Sequence, residues 1–227
     1  SALNNHTNNI TDKNTCVRVI YSNEVKHIDL PIYYKTNSKA EYYDEIPCLA
    51  HKGSGWIESD PYKFVQWFSG KAKNQDQLKR IVRYLKAWCD NKQPPKMPSG
   101  LVMTILASNH YLSKERDDEA LIETLKAIRK DIDPNYGGVY RCYRPTPKTT
   151  EDLLEKYPQE TFLKHLSALI ESGDQALYAE RANDACKKWQ LHLGNRFVCS
   201  SIEENMLGNA KSFEKSDVMY ANAKSAQ

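Results

Sequence analysis

Apolar and polar residues alternate twice near the start of the chain, first in TCVRVIYS around Val17, Val19 and Tyr21, then in VKHIDLPIYY. A period of two marks strands, because successive side chains point to opposite faces. The pattern predicts two strands joined by a turn at Ser22-Asn23-Glu24. In the second, Val25, His27 and Asp29 share one face, and Ile28, Leu30 and Ile32 the other. Asp29 therefore stands opposite an apolar face, with no lysine or arginine partner expected on its own face.

The segment KTNSKAEYYDEIPCLAHKGSGW loses all periodicity and predicts a loop without long regular elements. The period then changes. Ser59 or Asp60 can accept from the free amides of a helix start, Pro61 suits its first turn, and Phe64, Val65, Trp67 and Phe68 follow. From about Gln75, Leu78, Ile81, Val82, Leu85 and Trp88 form a stripe with 3.6-residue spacing, the clearest helix in the chain. Prolines in QPPKMPSG end it, and a largely buried helix is predicted from Ser99 through Leu101, Val102, Ile105 and Leu106. Asp117 and Asp118 open another with Leu121, Leu125 and Ile128 inside, and a turn is expected at Asn135 to Gly138. Thr150, with acidic residues behind it, reads as one more helix start. The last two helices are placed around Phe162 to Ile170 and Gln175 to Leu193, with Gly194 as the stop. Strands followed by about six helices predict an α+β architecture with segregated parts. A hairpin alone is marginal in water, so the strands are expected to have further sheet partners.

Composition narrows the class. The 227 residues are 40% hydrophobic and 27% charged, with no apolar run approaching the roughly 20 residues that span a bilayer. The opening SALNNHTNN lacks the basic and apolar regions of a signal peptide, so a soluble, cytoplasmic protein with no membrane partner is expected. The six cysteines show no CxxC pair, and idle or buried thiols are expected rather than a disulfide framework or a zinc site. A net charge of +3 permits anionic partners without requiring them. The six histidines show no ligand spacing.

Three residues carry candidate chemistry. Asp29 offers a carboxylate on a strand, the oxygen type that Mg²⁺ takes together with substrate phosphates. Lys86 ends a row with Lys79 and Arg83 at i, i+4 and i+7, either a solvated basic face or a group aimed at a phosphate. Ser99 adds a hydroxyl and a helix start, which also suit an anion.

Taken in order, the strand HIDLPIY, the loop closing in GWIESDP, the helix ending in RYLKAW and the restart PSGLVMTILA resemble the bacterial nucleotidyltransferases that make cyclic oligonucleotides, relatives of cyclic GMP-AMP synthase in the polymerase-beta superfamily. The resemblance runs from about Cys16 to Phe197 and includes RPTP before a short helix and a final helix with a Trp and LGNRF. It implies part of a nucleotidyltransferase sheet of a few antiparallel strands followed by a C-terminal helical bundle. Residues 1–72 would be a remnant of the catalytic palm domain, 73–200 the helical domain and 201–227 a peripheral tail.

In such enzymes two divalent metals, Mg²⁺ or Mn²⁺, held on three carboxylates activate a hydroxyl against a nucleotide α-phosphate. The resemblance makes Asp29 the third carboxylate, both catalytic and metal-binding, and gives Lys86 and Ser99 the donor triphosphate. The loop before Trp56 would border the nucleotide pocket, with Tyr33, Tyr43 and Trp56 as candidates to stack on a base. The family's Gly-Ser motif and paired Asp-x-Asp are absent, and Asp12 in TDKN has neither a strand pattern nor a second acid beside it. A truncated fragment is therefore expected, inactive alone, from a parent that joins nucleoside triphosphates into a cyclic di- or trinucleotide signal in antiphage defence. Its sheet would be completed by a missing N-terminal segment or a protein partner. The alternative is a non-catalytic helical interaction module, a decayed or split synthase. Nucleic-acid binding ranks last, since no basic stripe with interleaved aromatics is present.

Overall fold

The computed structural model describes residues 9–21, 27–35, 46–92 and 96–199. The predicted turn at Ser22-Asn23-Glu24, the place of Val25, the aromatic Tyr43 and the tail 201–227 lie outside them. The chain divides into two compact units, Ser1–Trp67 with Pro145–Thr149, and Phe68–Arg144 with Thr150–Gln227.

In the first unit β1 (Ile10–Asp12), β2 (Val17–Ile20) and β3 (His27–Leu30) form an antiparallel sheet in that order. The register sets Val17 against Leu30, Arg18 against Asp29 and Val19 against Ile28. Paired residues share a face, so Val17, Val19, Ile28 and Leu30 make the apolar side and Arg18 and Asp29 the polar one. Val19 is buried, whereas Ile28, Leu30 and Ile32 are 48%, 41% and 57% exposed. Asp12, read as lying outside any strand, ends β1 and faces Val17; three residues are too few to show a period.

A second antiparallel sheet, β4 (Tyr33–Tyr34), β5 (Cys48–His51) and β6 (Gly55–Glu58), uses part of the predicted loop. Its strands are short, and the β5–β6 turn is closed by His51 Nδ1, which accepts from the amides of Gly53 and Ser54. Helix α1 (Pro61–Lys71) begins as anticipated, with buried Asp60 accepting the Lys63 amide at 2.9 Å.

The second unit is a helical bundle of α2 (Asp76–Asn91), α3 (Gly100–His110), α4 (Asp117–Ile132), α5 (Gln159–Leu177) and α6 (Ala182–Leu193). The predicted stripe of α2 is fully inside, and Trp88 packs against Phe162 with ring centroids 6.0 Å apart. A bidentate ion pair from Arg80 to Asp117, which also accepts from Tyr84 and Gln77, fastens α2 to the start of α4. The α+β expectation holds: among the described residues six strands come first and six α-helices follow, with two further short strands set between α4 and α5.

Three readings are corrected. Thr150 does not start a helix: it lies in β8 (Lys148–Asp152), which forms a two-stranded sheet with β7 (Tyr143–Pro145). Asp152 accepts the amides of Cys142 and Leu154 instead of capping a helix, and the next helix waits until Gln159. Gln175 is near the end of α5 rather than at the start of α6; the helix ends after Leu177, and Gly194, at φ 83°, stops α6 as expected. The cysteines are not all idle thiols, since Cys186 in α6 is joined to Cys199 by a disulfide. Among the described residues no helix is long and apolar enough to cross a membrane.

Candidate functional site

Lys86 and Ser99 come together at the start of α3. Ser99 has extended backbone and caps that helix, its side chain accepting from the Val102 amide. Its own N–H donates to the Tyr157 hydroxyl at 3.0 Å. Lys86, five residues before the end of α2, lays its stem across Gly100: a Cβ there would meet Lys86 Cε at 3.1 Å and Cδ at 3.4 Å. Gly100 thus leaves the lane along which the lysine reaches the helix start.

The free amides of α3 carry the positive end of the helix dipole. Burial, with a contribution from Arg83, pushes the Lys86 ammonium below the ordinary lysine value, while Asp90 opposes this. The residue as a whole stays exposed. Lys79, at the other end of the basic row, is occupied by Asp76 at 2.9 Å. Of that row it is Lys86 that the fold carries to a helix N-terminus.

Asp29 sits in the first unit and is not the partnerless carboxylate expected from its strand. Arg18 grips both oxygens from β2, Nε to Oδ1 at 2.7 Å and Nη2 to Oδ2 at 2.8 Å. The Arg18 hydrogen bonds hold the Asp29 carboxyl below the usual aspartate range. Cross-strand neighbours depend on register, and a one-residue slip would send Arg18 to the other face. The spacing from Arg18 to Asp29 was in the sequence; the pairing was not.

A divalent metal does not find a complete site here. Among the described residues no three His, Cys, Asp or Glu side chains are grouped to hold an ion, and Asp29 is neutralised by a guanidinium. Of the aromatic candidates, Tyr33 approaches Ser59, its hydroxyl 3.5 Å from Oγ, and Trp56 is exposed in β6 and leans on Tyr34 with ring centroids 5.5 Å apart. Sequence reasoning passed over Tyr157, Lys96 and Lys156, which gather beside Ser99; they lie in irregular segments where no period brings them together.

Comparison with known proteins agrees with the resemblance read from the sequence. The family model for the cyclic GMP-AMP synthase DncV-like nucleotidyltransferase domain matches residues 1–33. A cyclic GMP-AMP synthase of Escherichia albertii is 30% identical over 139 residues, covering 58% of this chain and 29% of that protein. One from Vibrio cholerae is 24% identical over 243 aligned positions, covering 87% of this chain and 55% of the relative. A crystal structure of Vibrio cholerae DncV cyclic AMP-GMP synthase with the linear intermediate pppA(3′,5′)pG superimposes with a TM-score of 0.72 at 21% identity, over 87% of this chain and 56% of that one. Escherichia coli DncV in its 3′-deoxy GTP bound form gives 0.67 at 21% identity, over 86% and 54%. The chain spans about half the length of the relatives that align along most of it.

Proposed function

We propose, from a chain that belongs to the family of DncV-like cyclic GMP-AMP synthases, that its helical unit carries the donor-triphosphate site of a nucleotidyltransferase. The observation that carries the reading is the meeting of Lys86 with Ser99 across Gly100. An ammonium on a long stem, a hydroxyl and free helix amides within one turn make a receptor for phosphate oxygens. Lys86 holds charge on the phosphates, and Ser99 fixes their direction through its hydroxyl. The solved relatives named with ATP and GTP support nucleoside triphosphates as the ligand class. The whole activity we assign is the joining of nucleoside triphosphates into a cyclic dinucleotide; a trinucleotide product and a role in antiphage defence are finer parts of the same proposal.

Residues 1–72 are assigned to the catalytic part, 73–200 to the helical domain and 201–227 to a tail. Asp29 is assigned as one carboxylate of a divalent-metal site, Mg²⁺ by its hard oxygen ligand, whose other ligands are not among the described residues. Bound there, the ion would supply the charge that makes an α-phosphate open to attack. For Asp29 to serve, its Arg18 contact must open.

A second reading, an interaction module that binds a protein partner, is favoured by the exposed apolar side of β3. It predicts a stable fold with no nucleotide affinity. Calorimetric titration of ATP with Mg²⁺ into this chain and into Lys86→Glu separates the two. Saturable binding that the variant loses, by at least about tenfold for a reversed charge at a phosphate contact, supports the triphosphate site. Equal binding by both proteins removes Lys86 from it, and binding by neither favours the interaction module.

A further inference from the structure

Tyr157 stands where two more lysines approach the start of α3. Its ring is buried, 6% exposed, and its hydroxyl accepts the Ser99 amide. Lys96 Nζ lies 5.3 Å from the ring centroid and Lys156 Nζ lies 5.7 Å from it. Lys86 reaches the same helix start from α2, across Gly100.

The two ammonium groups share one ring, so the attraction of each to the aromatic face is offset by repulsion from the other. Elsewhere in the chain Lys63, Lys79 and Lys126 sit beside carboxylates. Lys86, Lys96 and Lys156 form no such pair among the described residues, and all three are exposed around an exposed Ser99. Cations gathered around one helix start, with no carboxylate ion-paired to them among the described residues, are complementary to an anion that arrives from solution.

Charge selects the class of that anion. One phosphate group carries only about −1.5 to −2 at neutral pH, which leaves part of the lysine cluster unbalanced, whereas a polyphosphate supplies charge along its length. We infer that Lys96 and Lys156, held over Tyr157, take the terminal phosphates of a nucleoside triphosphate whose remaining phosphates lie against Lys86 and Ser99. The inference rests on the triphosphate reading of Lys86 and Ser99. It adds two binding residues and gives Tyr157 a positioning role, since that side chain both orients the Ser99 amide and gathers the lysines.

The test is calorimetry with ATP, AMP and inorganic tripolyphosphate on the wild-type chain, on Lys86→Gln and on the Lys96→Gln/Lys156→Gln double variant, with a thermal melt of each to confirm folding. The double variant should lose about tenfold in affinity for ATP and for tripolyphosphate, the loss of charge-assisted contacts, with AMP unchanged. A role confined to packing would lower the melting point and leave the ATP-to-AMP ratio alone, which overturns the inference. So does ATP binding that falls in Lys86→Gln and not in the double variant, with the triphosphate reading left standing. Tripolyphosphate binding that needs Lys96 and Lys156 without any ATP binding would keep the polyanion cluster but remove the nucleotide. No binding of either by the wild type overturns both.

Discussion

At the scale of single residues, the fold turns ordinary side chains into committed ones. His192, one of the six histidines without ligand spacing, is 4% exposed in α6, with Nε2 2.9 Å from Ser172 Oγ and Nδ1 buried without a hydrogen-bond partner. Protonation would place an N–H where no acceptor waits, and burial, with Lys92 and His165 adding to it, brings its pKa down from 6.5 to about 4. The folded value lies below the unfolded one, so between them the unfolded chain takes up a proton that the native chain refuses. Stability is thus held above pH 6.5 and lost as pH falls from there towards 4, by roughly 3 kcal/mol at the limit. Urea unfolding at pH 7.5 and 5.0 should show a larger loss for the wild type than for His192→Gln, which keeps a partner for Ser172 without the titration. Equal losses would mean that His192 is not the group that responds.

Elements were legible where a side-chain period repeats. The sixteen residues of α2 repeat the 3.6 period often enough for the stripe of Leu78, Ile81, Val82, Leu85 and Trp88 to be read directly, and all five are buried. The four-residue β5 and β6 carry no such repetition, and the acidic run after Thr150 looked like a helix start because capping and turn-closing aspartates are the same residue type. Of the candidate site, Lys86 and Ser99 were visible as phosphate-binding types, but their meeting depends on how α2 packs on α3, which periodicity alone does not give. Helix packing also decides what two similar glycines tolerate. A Cβ on Gly173 of α5 would come within 1.9 Å of Ile122 Cδ1 and 2.9 Å of Trp189 Cη2, while one on Gly70 of α1 meets nothing within 4 Å. Overpacking costs about 1–3 kcal/mol and alanine recovers up to about 1 kcal/mol over glycine in a helix. Gly173→Ala should therefore lower the urea midpoint by about 1–2 kcal/mol of stability and Gly70→Ala should raise it slightly. Effects of the same sign at both positions would show that propensity, and not the α4–α5–α6 contact, governs Gly173.

Over the whole molecule, the two units are built to different standards. The helical unit buries Leu121, Ile122, Leu125, Ile128, Phe162 and Leu166 almost completely, so its backbone hydrogen bonds are broken only by opening the core. The strand unit rests on two sheets of short strands; every residue of β3 is exposed, and Ile28 and Leu30 contribute little of the apolar burial that would resist opening. The polar side of the same hairpin is held by Arg18 and Asp29, an exposed pair whose attraction solvent screens. A catalytic role for Asp29 requires this pair to open, and a weakly held sheet is one in which that rearrangement is cheap. Hydrogen exchange should therefore separate the units: amides of β2 and β3 should exchange through local opening at rates insensitive to dilute urea, while those of α4 and the middle of α5 should exchange only with global unfolding. Saturating ATP should add protection to Gly100, Leu101 and Val102, the amides at the start of α3, and leave β3 as it was. Uniform protection across both units without ligand would show that the strands draw stability from contacts beyond their own sheets, and the exposed side of β3 would then need another account.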